Sequence, residues 1–182
     1  KEGQLNGVWK SYSPDGILLL EGTYKDGFKV SEWLSYYSNG RLKEKQHYKV
    51  FTQTNLADGI AIMGLKETVS DLHGSFESYS QIDFQLKETG KYYHGLKHGT
   101  WINYYPGGVV PTIVSQYRYG RLHGAFKQFD RYGRLVYEIQ YKNGLKDGYM
   151  LAYNENGQLV SKKLFRKGQQ IGEGTQDGFS PY

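Results

Sequence analysis

The chain contains no cysteine, four prolines and two methionines among 182 residues, and it has no long apolar run. The missing cysteine excludes disulfides, thiol nucleophiles and cysteine-bound metals, and it leaves the redox compartment open. The most apolar stretch is Ile60 to Leu65, far short of the ~18 unbroken residues that a membrane helix needs, so no transmembrane segment is predicted. No serine lies in a Gly-x-Ser-x-Gly elbow, and the glycines from Gly168 to Gly174 open no helix that could cradle a phosphate. No block of five like charges occurs; the 23 basic and 18 acidic residues are interspersed, and the net charge of +5 reads mostly as solvated strand faces. The sequence begins Lys-Glu-Gly without methionine. A removed upstream segment is the expectation, which favours an exported or envelope-associated location over a cytoplasmic one.

What is abundant is tyrosine, at 18 residues, and glycine, at 24. That composition points to strands joined by tight turns. The stretch Gly95 to Gly108, GLKHGTWINYYPGG, returns as GLKDGYMLAYNENG from Gly144 to Gly157. Its first glycine recurs as Gly3, Gly27, Gly95, Gly120, Gly144 and Gly168. The second falls at Gly7, Gly74, Gly99, Gly124, Gly148 and Gly172, with Ser31 once in its place. Two residues further on stand Trp9, Trp33, Phe76, Trp101, Phe126 and Met150, and three beyond those Tyr12, Tyr36, Tyr79, Tyr104, Phe129 and Tyr153. Gly16, Gly40, Gly108, Gly133 and Gly157 close a turn, with Asp83 as the exception, and Tyr24, Tyr48, Tyr92, Tyr117, Tyr141 and Phe165 form a second aromatic column. A fixed period of this length is the mark of a repeat architecture.

Each copy reads as a β-hairpin. Ser13-Pro14-Asp15-Gly16 and Asn154-Glu155-Asn156-Gly157 carry the chemistry of a type I turn that ends in a left-handed glycine. After the turn, Leu135, Tyr137, Ile139 and Tyr141 alternate with polar residues, the period of a strand. Between Phe51 and Ser70 the aromatics vanish, yet Asp58-Gly59-Ile60 echoes Asp15-Gly16-Ile17; residues 51–70 read as a degenerate repeat or a loop insertion. The array is expected to fill residues 1–172 with about seven hairpins, leaving 173–182 as a tail or the start of another repeat.

The pattern Gly-x3-Gly-x-Trp-x2-Tyr-x3-Gly resembles the variant form of the MORN repeat (membrane occupation and recognition nexus), found in bacterial proteins of which some are labelled antitoxins. The resemblance covers roughly residues 3–172. It implies an all-β fold of tandem β-hairpin repeats, one long twisted antiparallel meander sheet, and it implies no chemistry, because the shared residues are structural.

With three-residue turns, Tyr12 would face Leu18 and share a surface with Tyr24, while Trp9 would lie on the opposite surface beside Gly22, one aromatic ladder on each face. Gly7, Tyr12, Gly16, Tyr24, Tyr36, Gly40, Tyr48, Gly74, Tyr79, Gly99, Tyr104, Gly124, Phe129, Gly133, Gly148, Tyr153 and Gly157 are then structural. The column Trp9, Trp33, Phe76, Trp101 and Phe126 is the candidate partner-binding set, because its glycine neighbours would leave those rings less covered.

His73, His98 and His123 recur every 25 residues. One repeat moves a side chain ~9.5 Å along a sheet, too far for ligands that must lie ~2.0–2.1 Å from one zinc; they read as polar residues at a turn-adjacent position shared with Asn6 and Asp147. No cofactor and no catalytic group is predicted. Scattered acids speak against nucleic acid. The expected function is a non-catalytic scaffold that binds an unknown protein partner, alternatives being glycan or envelope binding through exposed rings and antitoxin-like neutralisation of a toxin. An edge-to-edge dimer is compatible with such a sheet.

Overall fold

The structure, a computed structural model, describes residues 3–57, 60–175 and 178–181, with side chains described over 3–52 and 68–174. Fourteen antiparallel strands among these residues follow one another in chain order in one sheet. They are β1 (Gly7–Tyr12), β2 (Leu18–Lys25), β3 (Phe28–Tyr36), β4 (Leu42–Ala57), β5 (Ile60–Tyr79), β6 (Leu86–Tyr93), β7 (Leu96–Tyr104), β8 (Pro111–Arg118), β9 (Arg121–Phe129), β10 (Leu135–Lys142), β11 (Leu145–Tyr153), β12 (Leu159–Arg166), β13 (Gln169–Thr175) and β14 (Gly178–Pro181). The meander expected from the 24-residue period is the architecture, and every member of the three aromatic columns lies on a strand. Residues 51–57 run on as the end of β4 and 60–70 as the start of β5, strands of 16 and 20 residues against the 8 or 9 of most others. The turn read at Asp58-Gly59 lies outside the described residues. Part of the stretch read as a tail, 173–175 and 178–181, belongs to β13 and β14, which pair with each other.

Two kinds of turn alternate. Within a hairpin, Gly16 donates to the Ser13 carbonyl and Ser13 to that of Ile17, and Gly16 holds φ at 80°. The same geometry recurs at Gly40, Gly133 and Gly157. Between hairpins the turn is two residues long with both at positive φ, as in Asp26 (52°) and Gly27 (82°) or Asn143 (53°) and Gly144 (88°), the mirror-image turn whose twist suits adjacent strands. The second glycine of the phrase has a different task. It sits where the pairing register slips, for example between Thr23↔Val30 and Glu21↔Leu34, and Ser31 there adopts φ 60°, positive like that of Gly7, Gly74, Gly99, Gly124 and Gly148.

Contacts divide the chain into two units, Lys1–Phe76 with Tyr92–Gly95, and Glu77–Lys91 with Leu96–Tyr182. In the first, Tyr12 does face Leu18, but Ser11 pairs with Leu20, so Leu19 is an extra residue that turns β2 over. The expected ladder on each face is therefore corrected: Trp9 pairs with Gly22, and its ring lies 6.1 Å from Tyr24 on the same face. Trp33 nests in this row, 6.0 Å from Trp9, 4.9 Å from Tyr24 and 6.3 Å from Tyr48. On the opposite face Lys10 bridges Glu21 at 3.0 Å, and the Tyr36 hydroxyl donates to the same carboxylate at 2.6 Å. Burial first, then that hydrogen bond, pushes the Tyr36 phenol up to about 12.

The second unit repeats the plan. Trp101 lies near Tyr117 and donates its indole N–H to the Lys91 carbonyl at 3.1 Å, while Phe126 packs on Tyr141. On the other face Lys127 and Glu138 form an ion pair. What lies beneath each ring scales inversely with it. A Cβ on Gly90 would stand 2.2 Å from the Trp101 ring, as one on Gly22 would stand 2.1 Å from Trp33 in the first unit. Under Phe126 the paired residue is Ser115, and under Met150 it is Ile139, both buried. The offset is eleven residues each time: ring large, seat small.

Candidate binding surfaces

The structure corrects the expectation that the Trp column is left uncovered. Trp33 and Trp101 are each 1% exposed and Phe76 7%, among the most buried side chains described; Trp9 and Phe126 are half-buried. The glycines beside these rings are the seats of rings from the next hairpin, not gaps. Sequence reasoning also missed the lid. Lys29 reaches over the Trp33 ring with Nζ 4.2 Å from its centroid, Lys97 over Trp101 at 3.8 Å, and Lys146 over Phe165 at 4.9 Å. Each stands two residues after the first glycine of its repeat, a periodicity that was there to be found. Their aliphatic stems cover apolar surface while the ammonium sits on the ring face. Burial lowers the Lys29 pKa.

The histidine column is turn chemistry. The position before the second glycine caps the inter-hairpin turn about twenty residues later: Asp26 N–H donates to Asn6 Oδ1 (2.8 Å), Asn143 N–H to His123 Nδ1 (3.4 Å) and Lys167 N–H to Asp147 Oδ2 (3.4 Å). His98 packs on Tyr119, and His73 sits among Phe51, Tyr93 and His94 with ring centroids 5.0, 5.0 and 5.5 Å away. Burial first and the charge of His94 next lower the His73 pKa. Among the described residues no three His, Asp or Glu side chains converge as metal ligands do.

The exposed apolar surface is instead at the turns. In the second unit Ile82 is 92% exposed, Val109 81% and Tyr132 75%, and each belongs to the within-hairpin turn of a successive repeat. These turns are tied together. Gly107 N–H donates to Asp83 Oδ2 at 2.7 Å, the Tyr105 hydroxyl to the Phe129 carbonyl at 3.0 Å, and Arg134 Nη1 to the Glu155 carbonyl at 3.0 Å. Ser80 first, then the Gly107 N–H, hold the Asp83 carboxyl below its usual range. Arg134 also lies 5.1 Å over the Tyr132 ring and bonds Asp130 at 2.6 Å. A cleft of about 480 Å³ opens between Tyr105, Tyr132, Arg134 and Tyr153, and one of about 200 Å³ between Asp83, Leu86 and Pro106.

The inter-hairpin turns of the same unit carry a second cleft of about 480 Å³, lined by Arg118, Tyr119, Arg121 and Asn143. It adjoins one of about 250 Å³ that includes His98, Arg118 and His123. Among the described residues no helix is long and apolar enough to cross a membrane.

No curated protein matches the chain. The family model described as the MORN repeat variant matches residues 5–26, 29–49, 122–143 and 146–167, which coincide with the hairpins β1–β2, β3–β4, β9–β10 and β11–β12. With the recurring phrase, the hairpin it encodes and these four matches in agreement, the chain carries the MORN repeat variant at these four hairpins.

Proposed function

We propose that the chain is a non-catalytic scaffold that binds a protein partner along the row of within-hairpin turns in its second unit. The observation that carries this reading is the display of Ile82, Val109 and Tyr132 on turns already fixed to one another by hydrogen bonds. A surface held in place before binding loses little conformational entropy on association, and tyrosine beside arginine is the pairing that dominates interface energetics. Neighbouring turns of one kind stand about 9.5 Å apart, so a partner that spans the three contacts several repeats at once, as repeat arrays do. The indoles on which a sugar would stack are buried at Trp33 and Trp101, which favours a protein over a glycan.

The test is site-specific photo-crosslinking from positions 82, 109 and 132, one at a time, in the source cell. One shared adduct is expected from all three, and the adduct from position 82 should be lost when Val109→Ser/Tyr132→Ser is added and circular dichroism shows that chain folded. Three sites without a common adduct, or full adduct yield from position 82 in the folded Val109→Ser/Tyr132→Ser chain, would overturn the reading.

A further inference from the structure

We propose that the opposite row of turns in the second unit is a separate docking strip whose occupant is an extended acidic segment of a protein. The turns at 118–121, 142–145 and 166–169 read Arg-Tyr-Gly-Arg, Lys-Asn-Gly-Leu and Arg-Lys-Gly-Gln: five cations and no acid. Arg118, Arg121, Lys142, Arg166 and Lys167 are all exposed, and among the described residues none of them joins an ion pair. Beside them stands one acid, Asp147, whose carboxylate accepts the Lys167 N–H and leaves the cations in excess. On the within-hairpin turns of the same repeats the charges cancel, Asp130 and Glu155 standing against Arg131 and Arg134. The positive charge is therefore gathered on one side of this unit, where the clefts that share Arg118 also lie.

Geometry selects an extended peptide. The turns recur about every 9.5 Å, and an extended chain advances ~3.3 Å per residue, so every third carboxylate of an acidic run meets a turn. Tyr119 and Leu145 supply exposed apolar contacts between the cations. A nucleic-acid strand fits less well, because Tyr119 is the one ring within the three turns, whereas single strands use successive aromatic platforms.

The experiment is fluorescence anisotropy of a labelled ten-residue polyglutamate titrated with the whole chain. Binding is expected at low ionic strength and should weaken as salt shortens the screening length from about 30 Å at 0.01 M to about 3 Å at 1 M. Arg118→Glu/Arg121→Glu should weaken it by about tenfold or more, since like charge is then set against the peptide; Arg131→Glu, on the other row, should change it less than about twofold. The Ile82→Ser/Val109→Ser/Tyr132→Ser variant should bind the peptide undiminished, which separates this inference from the partner reading above. It is overturned if the wild-type chain does not bind, if Arg131→Glu loses as much as the Arg118/Arg121 variant, or if an oligothymidylate of equal length binds more tightly.

Discussion

Gly22→Ala is the smallest change that tests how neighbouring hairpins are fitted together. The added Cβ would stand 2.1, 2.3 and 2.6 Å from three atoms of the Trp33 ring. Ordinary contact begins near 3.4 Å, so the ring must retreat by more than an ångström, yet Trp9, Tyr24 and Tyr48 surround it and Lys29 closes it from above. Overpacking alone costs about 1–3 kcal/mol, and each aromatic pair disturbed adds about 0.5–1.5 kcal/mol. A loss of about 3 kcal/mol is the expected result. Trp33→Phe alone should also destabilise, by leaving space above Gly22, although it removes an indole N–H that finds no acceptor among the described residues. The pair Gly22→Ser/Trp33→Phe rebuilds what stands at Ser115 and Phe126. Its loss should therefore fall short of the summed losses of Gly22→Ser and Trp33→Phe by at least about 1 kcal/mol, within the range of coupling for residues in contact. Because repeat arrays can unfold in parts, the readout is amide hydrogen exchange along β2 and β3 together with the denaturant midpoint. Additive losses, or a Gly22→Ala chain as stable as wild type, would refute the complementarity of ring and seat.

Two further perturbations test other parts of the framework. Ser31 holds φ 60° where other repeats carry glycine; relief of about 1–2 kcal/mol of left-handed strain, less about 0.5–1 kcal/mol for glycine's extra freedom when unfolded, makes Ser31→Gly stabilising by up to about 1.5 kcal/mol, and a lowered melting temperature would count against it. The Tyr36 phenol, raised to about 12 in the fold, is still protonated at a pH where the unfolded chain has begun to ionise. Its contribution is complete below pH 10, the ordinary tyrosine value, and fades as pH climbs from 10 toward 12. Denaturation midpoints across pH 9 to 12 should thus fall more steeply for wild type than for Tyr36→Phe; parallel curves would refute the raised Tyr36 pKa.

How much of this could be read in advance depends on which residues announce themselves. The turns were legible because Pro14, Asp15 and Gly16 each restrict the backbone in a known way, and the period fixed how often they recur. The side of the sheet on which Tyr24 lies was not. The bulge at Leu19 falls in Ile17-Leu18-Leu19-Leu20, a run apolar at both parities, so no alternation betrays the slipped register. The burial of Trp33 and Trp101 was misjudged for a related reason. Reasoning within one hairpin saw glycine as bare space, whereas the ring that fills it comes from eleven residues further on. Lys29, Lys97 and Lys146 passed for solvated charges because hydropathy sees the ammonium and not the stem.

The same comparison of copies marks where the chain departs from what its fold requires. The third residue of the within-hairpin turn is Asp15 in the first repeat, Asn39 in the second and Asn156 in the sixth, residues whose short polar side chains bond to the local backbone and tolerate tight turns. In the third and fifth repeats it is Ile82 and Tyr132, which bring no short polar group to the turn backbone and stand 92% and 75% exposed. Phe84 even takes the positive φ of 57° that glycine holds elsewhere. Local rules broken without a local gain are the signature of a site kept for another purpose. Here the breaks fall in the third and fifth repeats of the array, both within one unit, on the row that Asp83, Tyr105 and Arg134 tie together, which is where a partner would find its apolar anchors already in place.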